Sequence, residues 1–234
     1  MAGHSKWSQI KRAKGVNDVK RGALFTRIGN QIAVAARSGV DPELNPSLAA
    51  VIEKARSANM PMSTVERAIK RVSDKDSIQL EEILYEGYGP GGIAILVECA
   101  TDNRNRTYPE VKHAFTKHGG SIGEANSVAF QFERKGVIIV KSSGENALLE
   151  VLEAGAEDAV ENEDVIIAYT EPKDLHEVKF RLNQAGLETE SAELSYQPNN
   201  TVELDEELES KLEKIIDSLE DLQDVVNVSH NGEC

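Results

Sequence analysis

The sequence predicts an α+β multidomain chain: an N-terminal helical domain followed by two ferredoxin-like α/β domains, one inserted in the other. Three observations predict it. Between residues 24 and 72 apolar side chains recur at three- and four-residue steps, the helical period. Beyond about residue 78 the apolar residues gather into short β-branched runs bounded by glycine, Asn and Asp, and from 136 to 196 runs and helical stretches alternate in the β-α-β-β-α-β order of a split βαβ unit. Finally, the chain ends on a helix and a strand that cannot bury their faces alone, while residues 79–132 lack such a pair. The expected division is therefore a basic arm at 1–22, a helical domain at 23–78, a split α/β domain made of 79–132 plus 201–234, and an inserted ferredoxin-like α/β domain at 133–200.

Each element has a local reason. Residues 1–22 are polar and basic, with Gly3, Gly15 and Gly22, and read as a flexible or loosely docked arm. Leu24, Phe25, Ile28, Ile32, Ala35 and Ala36 form one stripe of a first helix, which Gly39 stops. Asn45-Pro46 supplies an N-cap and a first-turn proline for the second helix, whose inner face is Leu48, Val51, Ile52 and Ala55. Asn59-Met60-Pro61 breaks it. Ser63 with Glu66 reads as a capping box opening the third. Ile93 to Val97 is a buried strand, followed by a helix with Val111, Ala114 and Phe115 inward. Val128 to Phe132 and Gly136 to Val140 read as two strands. A helix near 145–154, a weak edge strand near 157–161, a strand at 165–170, a helix near 173–185 and a strand near 188–196 follow. The tail is a helix over 205–222 and a strand over 224–228.

Charge is sorted along the chain. The first 75 residues hold fourteen Lys/Arg against six Asp/Glu, and the rest hold twelve against thirty-four, which gives the net charge of −14. Such segregation favours a partner for the basic part, because a separable cationic module can neutralise phosphates while an acidic body stays clear. No apolar run approaches the roughly 20 residues of a membrane span, and the first residues lack the apolar stretch of a secretory signal. Of two cysteines, Cys99 lies in an apolar run and Cys234 is last, with no CxxC, so a reducing, cytoplasmic setting fits best. No nucleophile–base pair, metal-ligand spacing or cofactor motif is present. The expectation is no catalytic residue, no metal and no cofactor.

Candidate contacts to nucleic acid follow. In the arm, His4, Lys6, Lys11, Arg12, Lys14, Lys20 and Arg21 surround the single tryptophan, Trp7. Cations meet phosphates and an indole stacks on an unpaired base. In the third helix Arg67, Lys70 and Arg71 fall on the outer side, and the helix pair 46–58 and 63–73 invites a weak helix-turn-helix reading. Thr101 to Thr107 lies where a strand gives way to a helix. Asp102 and Asn103 suit the turn, Thr107 with Glu110 reads as a capping box, and Arg104 and Arg106 make a forked-donor surface for phosphate or carboxylate. The stretch Glu86 to Gly92, with Gly87, Gly89, Gly91 and Gly92, reads as a loop too glycine-dense for a strand or helix interior.

Taken together, Met1 to Trp7, Asn59-Met60-Pro61, Glu66 to Lys70, Tyr85 to Gly92, Thr101 to Thr107 and Phe132 to Gly136 resemble the YebC family over essentially the whole chain, including Asn199 to Val202. The resemblance implies three domains around a cleft and a non-enzymatic factor. It also implies either a ribosome-associated protein near the peptidyl-transfer region, relieving stalls at proline-rich stretches, or, in an older view, a DNA-binding regulator. Mitochondrial relatives are translational activators of a cytochrome oxidase subunit. Two departures stand out. Gly29-Asn30-Gln31 replaces charged residues, which predicts a weakened RNA contact there. Asn126 replaces a glycine before Ser127-Val128, which the left-handed tolerance of Asn can accommodate.

The expected partner is therefore the ribosome and its rRNA, with tRNA in reach, or else DNA; no membrane partner is expected. A protein-interaction scaffold built on the acidic domains is the third expectation.

Overall fold

The computed structural model describes residues 18–73 and 80–233. The first helix, α1 (Asp18–Ala35), runs into a 3-10 turn at Ala36–Ser38 and stops at Gly39, whose φ of +151° suits glycine. It starts inside the stretch read as an arm, so Lys20, Arg21 and Gly22 lie on helical backbone. The second helix is α2 (Pro46–Ser57) and the third α3 (Met62–Ser73). Asn45 caps α2 by accepting from Leu48 N at 3.2 Å, while its Nδ2 donates to the Ala35 and Gly39 carbonyls at 2.8 and 2.7 Å. One buried amide thus fixes the whole corner between α1 and α2. The capping box expected at Ser63 is not where α3 begins. The helix opens at Met62, Pro61 O accepts from Thr64 N at 2.8 Å, and Ser63 sits within the first turn.

Ile28, Ile32, Leu48, Ile52, Ala55, Met60, Val65 and Ala68 close the core of this unit. Gly29 lies mid-helix, and a Cβ there would meet only Met60 Cε, at 3.9 Å. Gly29→Ala is therefore expected to stabilise the chain by about 1 kcal/mol through helix propensity, read as a raised urea midpoint at unchanged slope. A loss of stability would show that the site is tighter than ordinary van der Waals contact.

The first sheet comprises β1 (Glu81–Tyr88), β2 (Ala94–Thr101), β3 (Ser121–Ile122) and β9 (Val225–His230) in the order β3-β1-β2-β9, with antiparallel neighbours throughout. Helices α4 (Arg104–Lys117) and α7 (Glu206–Glu220) cover one face, and Ile95, Val97, Phe115, Leu212, Ile215 and Leu219 are among the side chains that fill the layer between. A short parallel pair, β8 (Val202–Glu203) with β10 (Gly232–Glu233), lies beside it.

The chain between them builds the second sheet: β4 (Phe132–Val140), α5 (Glu145–Glu153), β5 (Asp158–Asn162), β6 (Val165–Thr170), α6 (Leu175–Gln184) and β7 (Thr189–Pro198), ordered β5-β6-β4-β7. That order places the first strand between the third and the fourth, as a split βαβ requires. The first sheet has the same spatial order with one strand moved to the front of the chain, since β1 occupies the place that β6 holds. Two expected strands are one: Ala129–Gln131 is a 3-10 turn, and β4 then runs unbroken through Gly136. Likewise Glu86, Gly87 and Tyr88 belong to β1 rather than to a loop.

The helical unit is fastened to both sheets. From α1, Arg27 Nη2 donates to Glu220 O at 2.6 Å, Asn30 Nδ2 to Gln223 O at 3.2 Å and Gln31 Nε2 to Val226 O at 3.3 Å. Asn30 and Gln31, expected to face RNA, instead face the C-terminal helix and strand. Uncharged amides suit that place, because they satisfy peptide carbonyls without burying a charge. From α2, Lys54 meets Glu193 at 2.7 Å and Glu53 pairs with Lys179. Phe132 and Tyr196 of the second sheet pack against Ala94, Leu96, Leu84 and Tyr88 of the first. Among the described residues no helix is long and apolar enough to cross a membrane.

Candidate nucleic-acid interface

Helix α3 owes its shape to its sequence. Val65 and Ala68 are buried, Ile69 and Val72 half-buried, and Arg67, Lys70 and Arg71 exposed on the opposite side. Among the described residues none of these three cations forms an ion pair. Two of them lie in the last helical turn, where cations complement the helix dipole. Unlike α2, which docks on the second sheet through Glu53 and Lys54, α3 turns this face to solvent. The arm residues His4, Lys6, Trp7, Lys11, Arg12 and Lys14 lie outside the described residues, and of Lys20 and Arg21 only the helical backbone is described.

The Thr101–Thr107 segment is organised around a residue that sequence reasoning missed. Asp224, in the turn before β9, is buried. Its Oδ2 accepts from Thr101 Oγ1 at 2.9 Å, from Thr107 Oγ1 at 2.7 Å and from Arg106 Nη2 at 2.7 Å, while Oδ1 accepts from the same Nη2 at 2.9 Å. Asp102 Oδ1 adds a second carboxylate to Arg106 at 3.0 Å. Burial works to raise the Asp224 pKa, but the hydrogen bonds from Arg106, Thr107 and Thr101 outweigh it and hold the carboxyl below its ordinary value. Arg106 is thereby committed to carboxylates. Thr107 is not a cap. Asn103 caps α4, its Oδ1 accepting from Asn105 N at 3.1 Å and Arg106 N at 3.2 Å, and Thr107 is a buried hydroxyl one turn further on.

Arg104 is held more loosely. It is solvent-facing, in an exposed ion pair with Glu81 at 3.9 Å and hydrogen-bonded to Tyr85. Tyr108 and Lys112, also exposed, continue its stripe along α4 at four-residue steps. This spacing was present in the sequence, but Pro109 within the helix and the supposed cap at Thr107 obscured the register. The structure therefore groups Arg67, Lys70 and Arg71 on the helical unit, and places Arg104 on a separate unit.

The glycine-rich stretch serves packing and turning. A Cβ on Gly87 would lie 2.7 Å from the Phe115 ring and from Ser121 O, and Gly91 and Gly92 hold φ of +74° and +80°. Glu86 beside them is buried and accepts from Asn126, Val128 and Ala129 N at 2.5, 2.7 and 2.7 Å. Asn126 itself adopts φ +65°, the left-handed conformation expected where it replaces glycine.

A cavity of about 630 Å³ lies where the three units meet. Lys54, Arg134, Lys173 and His176 line it together with Glu82 and Glu98, so it carries both signs of charge and is no phosphate channel. Burial and then Lys179 hold the His176 pKa below its ordinary value.

Residues 5–75 match the family model described as the TACO1/YebC protein N-terminal domain, and residues 80–232 match TACO1/YebC second and third domain. A protein of Persephonella marina named "Probable transcriptional regulatory protein" is 52% identical over 240 residues, spanning 100% of this chain and 96% of the relative. An Escherichia coli protein named "Probable transcriptional regulatory protein YebC" is 48% identical over 237 residues, with the same two coverages. The crystal structure of a conserved hypothetical protein from Aquifex aeolicus superposes with a TM-score of 0.85 at 46% identity, covering 92% of this chain and 91% of that one. With both family models matched end to end on a shared three-unit fold, the chain belongs to the TACO1/YebC family.

Proposed function

We propose that the chain is a non-enzymatic, nucleic-acid-binding regulator of gene expression, and specifically a ribosome-associated translation factor that holds rRNA backbone and relieves stalling at proline-rich stretches. The observation that carries the binding part is the free cationic face of α3, where Arg67, Lys70 and Arg71 project without a carboxylate partner among the described residues. Lys6, Lys11, Arg12, Lys14, Lys20 and Arg21 extend that charge toward the N-terminus, with Trp7 stacking on a base and His4 donating to phosphate. Arg104, on the other unit, orients the body against rRNA or tRNA. The acidic surplus of the two sheet units limits unspecific adhesion.

The alternative, a DNA-binding transcription regulator, takes its support from the names of the relatives. It asks α2 and α3 to act as a helix-turn-helix, with α2 crossing the DNA backbone. Glu53 and Lys54 of α2 are already engaged with Lys179 and Glu193, which favours the ribosomal reading. A scaffold role for the acidic units is the third reading and predicts full function without the arm. The deciding experiment is binding to ribosomes and to a panel of DNA duplexes across a salt series. Salt-dependent ribosome binding with all duplexes alike is expected. A duplex preference of about 10³-fold or more would favour the regulator, and salt-independent binding would remove phosphate contacts as the basis.

A further inference from the structure

The Ala129–Gln131 turn is mounted from three distant parts of the chain. Glu86, 5% exposed, accepts from the Asn126, Val128 and Ala129 amides, and Tyr88 Oη donates to Ser127 O at 2.9 Å. From just past the end of β7, Asn199 N donates to Gln131 O at 2.8 Å and Asn199 Nδ2 to Phe130 O at 3.4 Å. After β9, Asn231 Nδ2 donates to Gln131 Oε1 at 3.3 Å, while its Oδ1 accepts from Ala94 N at 2.8 Å. Val128 and Phe132, on either side, are buried against the first sheet. Phe130 between them is 72% exposed, the most exposed of the described aromatic side chains. A lone apolar side chain at the surface is ordinary. This one tops a backbone whose polar groups are satisfied by distant partners, so it cannot retreat inward without breaking them.

The surroundings narrow what it can meet. Residues 87–97, 125–132 and 194–202 supply the turn and the strand ends around it, and they hold no Asp, Glu, Lys or Arg in a chain that is 28% charged. Such a tip neither grips phosphate nor repels it. An apolar groove of a protein partner would call for more apolar surface than one ring, whereas the exposed neighbours here, Asn199 and Asn200, are amides. An unpaired nucleobase is complementary to this set: its face stacks on a ring, and its edge pairs with amides that both donate and accept.

The tip also stands apart from the cations. Antiparallel register sets Ile95 of β2 against His230 and Cys99 against Val225. Arg27, Asn30 and Gln31 fasten the helical unit at residues 220, 223 and 226, beside the Thr101 end of β2. Asn231 ties the Phe130 turn to Ala94, at the other end. Seven steps of extended strand separate the two ends, roughly 23 Å.

We propose that Phe130, with Asn199 and Asn200 at its rim, stacks on an unpaired nucleobase of RNA, at the end of the body remote from the helical unit. The inference rests on the RNA-binding reading above and adds to it a contact that carries no charge.

A short single-stranded RNA containing 2-aminopurine, and ribosomes, are the two probes. Stacking should quench the 2-aminopurine when the parent binds. Phe130→Leu keeps an apolar side chain but no ring face. It should abolish the quenching and weaken binding to both probes by roughly tenfold, with the salt slope unchanged, since no phosphate contact is lost. Phe130→Tyr should behave as the parent. Far-UV circular dichroism should be the same for all three, because the ring lies outside the core. If Phe130→Leu quenches and binds as the parent does, the stacking site is overturned, and salt-dependent ribosome binding would leave the proposed function standing. Phe130-dependent quenching of the short RNA by a protein that ignores ribosomes would uphold the site and overturn the ribosomal reading. A parent that binds neither probe would overturn both.

Discussion

Replacing Asp224 by Ala is expected to destabilise the chain by about 1–3 kcal/mol, the usual cost of leaving buried hydroxyls without their acceptor, because the guanidinium of Arg106 is itself exposed and keeps Asp102. Without the carboxylate, Thr101 and Thr107 are deprived of their shared acceptor at the end of β2 and in the first turns of α4. Arg106 keeps only Asp102. The strand that follows, β9, is the last of the first sheet and pairs with β2 alone, so the damage falls on the joint that closes that unit. Asp224→Asn should cost less, because an amide oxygen still accepts from the hydroxyls. Urea unfolding of both variants measures the difference, and a loss under about 1 kcal/mol for the alanine variant would show that the network adds little beyond an exposed pair.

The same carboxylate gives a pH signature. Its folded pKa is lowered, so its stabilisation is complete above the unfolded value near about 4 and drains away as pH falls through the lower folded value. The gap in stability between the parent and Asp224→Asn should therefore be constant from neutral pH down to about 4 and shrink below it. A gap that stays level into stronger acid would mean that the carboxylate titrates alike in folded and unfolded chains.

The second large effect belongs to α3. The triple variant Arg67→Glu, Lys70→Glu, Arg71→Glu should leave the fold intact, since all three side chains are exposed and, among the described residues, without ion pairs. It should weaken ribosome binding by roughly 10²-fold or more and flatten the salt slope by about one for each phosphate that is no longer neutralised. Arg104→Glu should produce a smaller change, and Arg106→Glu chiefly a stability defect, because its guanidinium is held by Asp224 and Asp102. If the triple variant binds ribosomes as the parent does at every salt concentration, the α3 face is not the binding surface.

Much of this could be read from the residues alone, and the reasons are local. The stripe of Ile28, Ile32 and Ala36, the cap at Asn45, the turn at Asn59, the β-branched runs of β2 and β6, and the cationic side of α3 follow from period, capping and turn chemistry within a few residues of chain. The left-handed Asn126 belongs to the same class. Charge sorting likewise pointed to the N-terminal third without any coordinates.

What local rules could not supply is which distant group each polar side chain meets. Thr107 had a plausible cap role until Asp224, 117 residues away, took its hydroxyl. Arg106 looked as free as Arg104. Asn30 and Gln31 looked like a weakened RNA-facing patch, yet they satisfy carbonyls of residues 223 and 226. Gly87 looked like a loop glycine, and the Phe115 ring makes it a strand glycine. Periodicity and composition are written within one segment, so the sequence by itself determined the helices, the buried runs of β2 and β6, their inner faces and the basic–acidic division, but not β1, whose glycines read as a loop. Hydrogen-bond and charge pairing across more than a hundred residues depends on how those elements are stacked, so only the tertiary structure decided which cations are spent on carboxylates and which have no ion pair among the described residues.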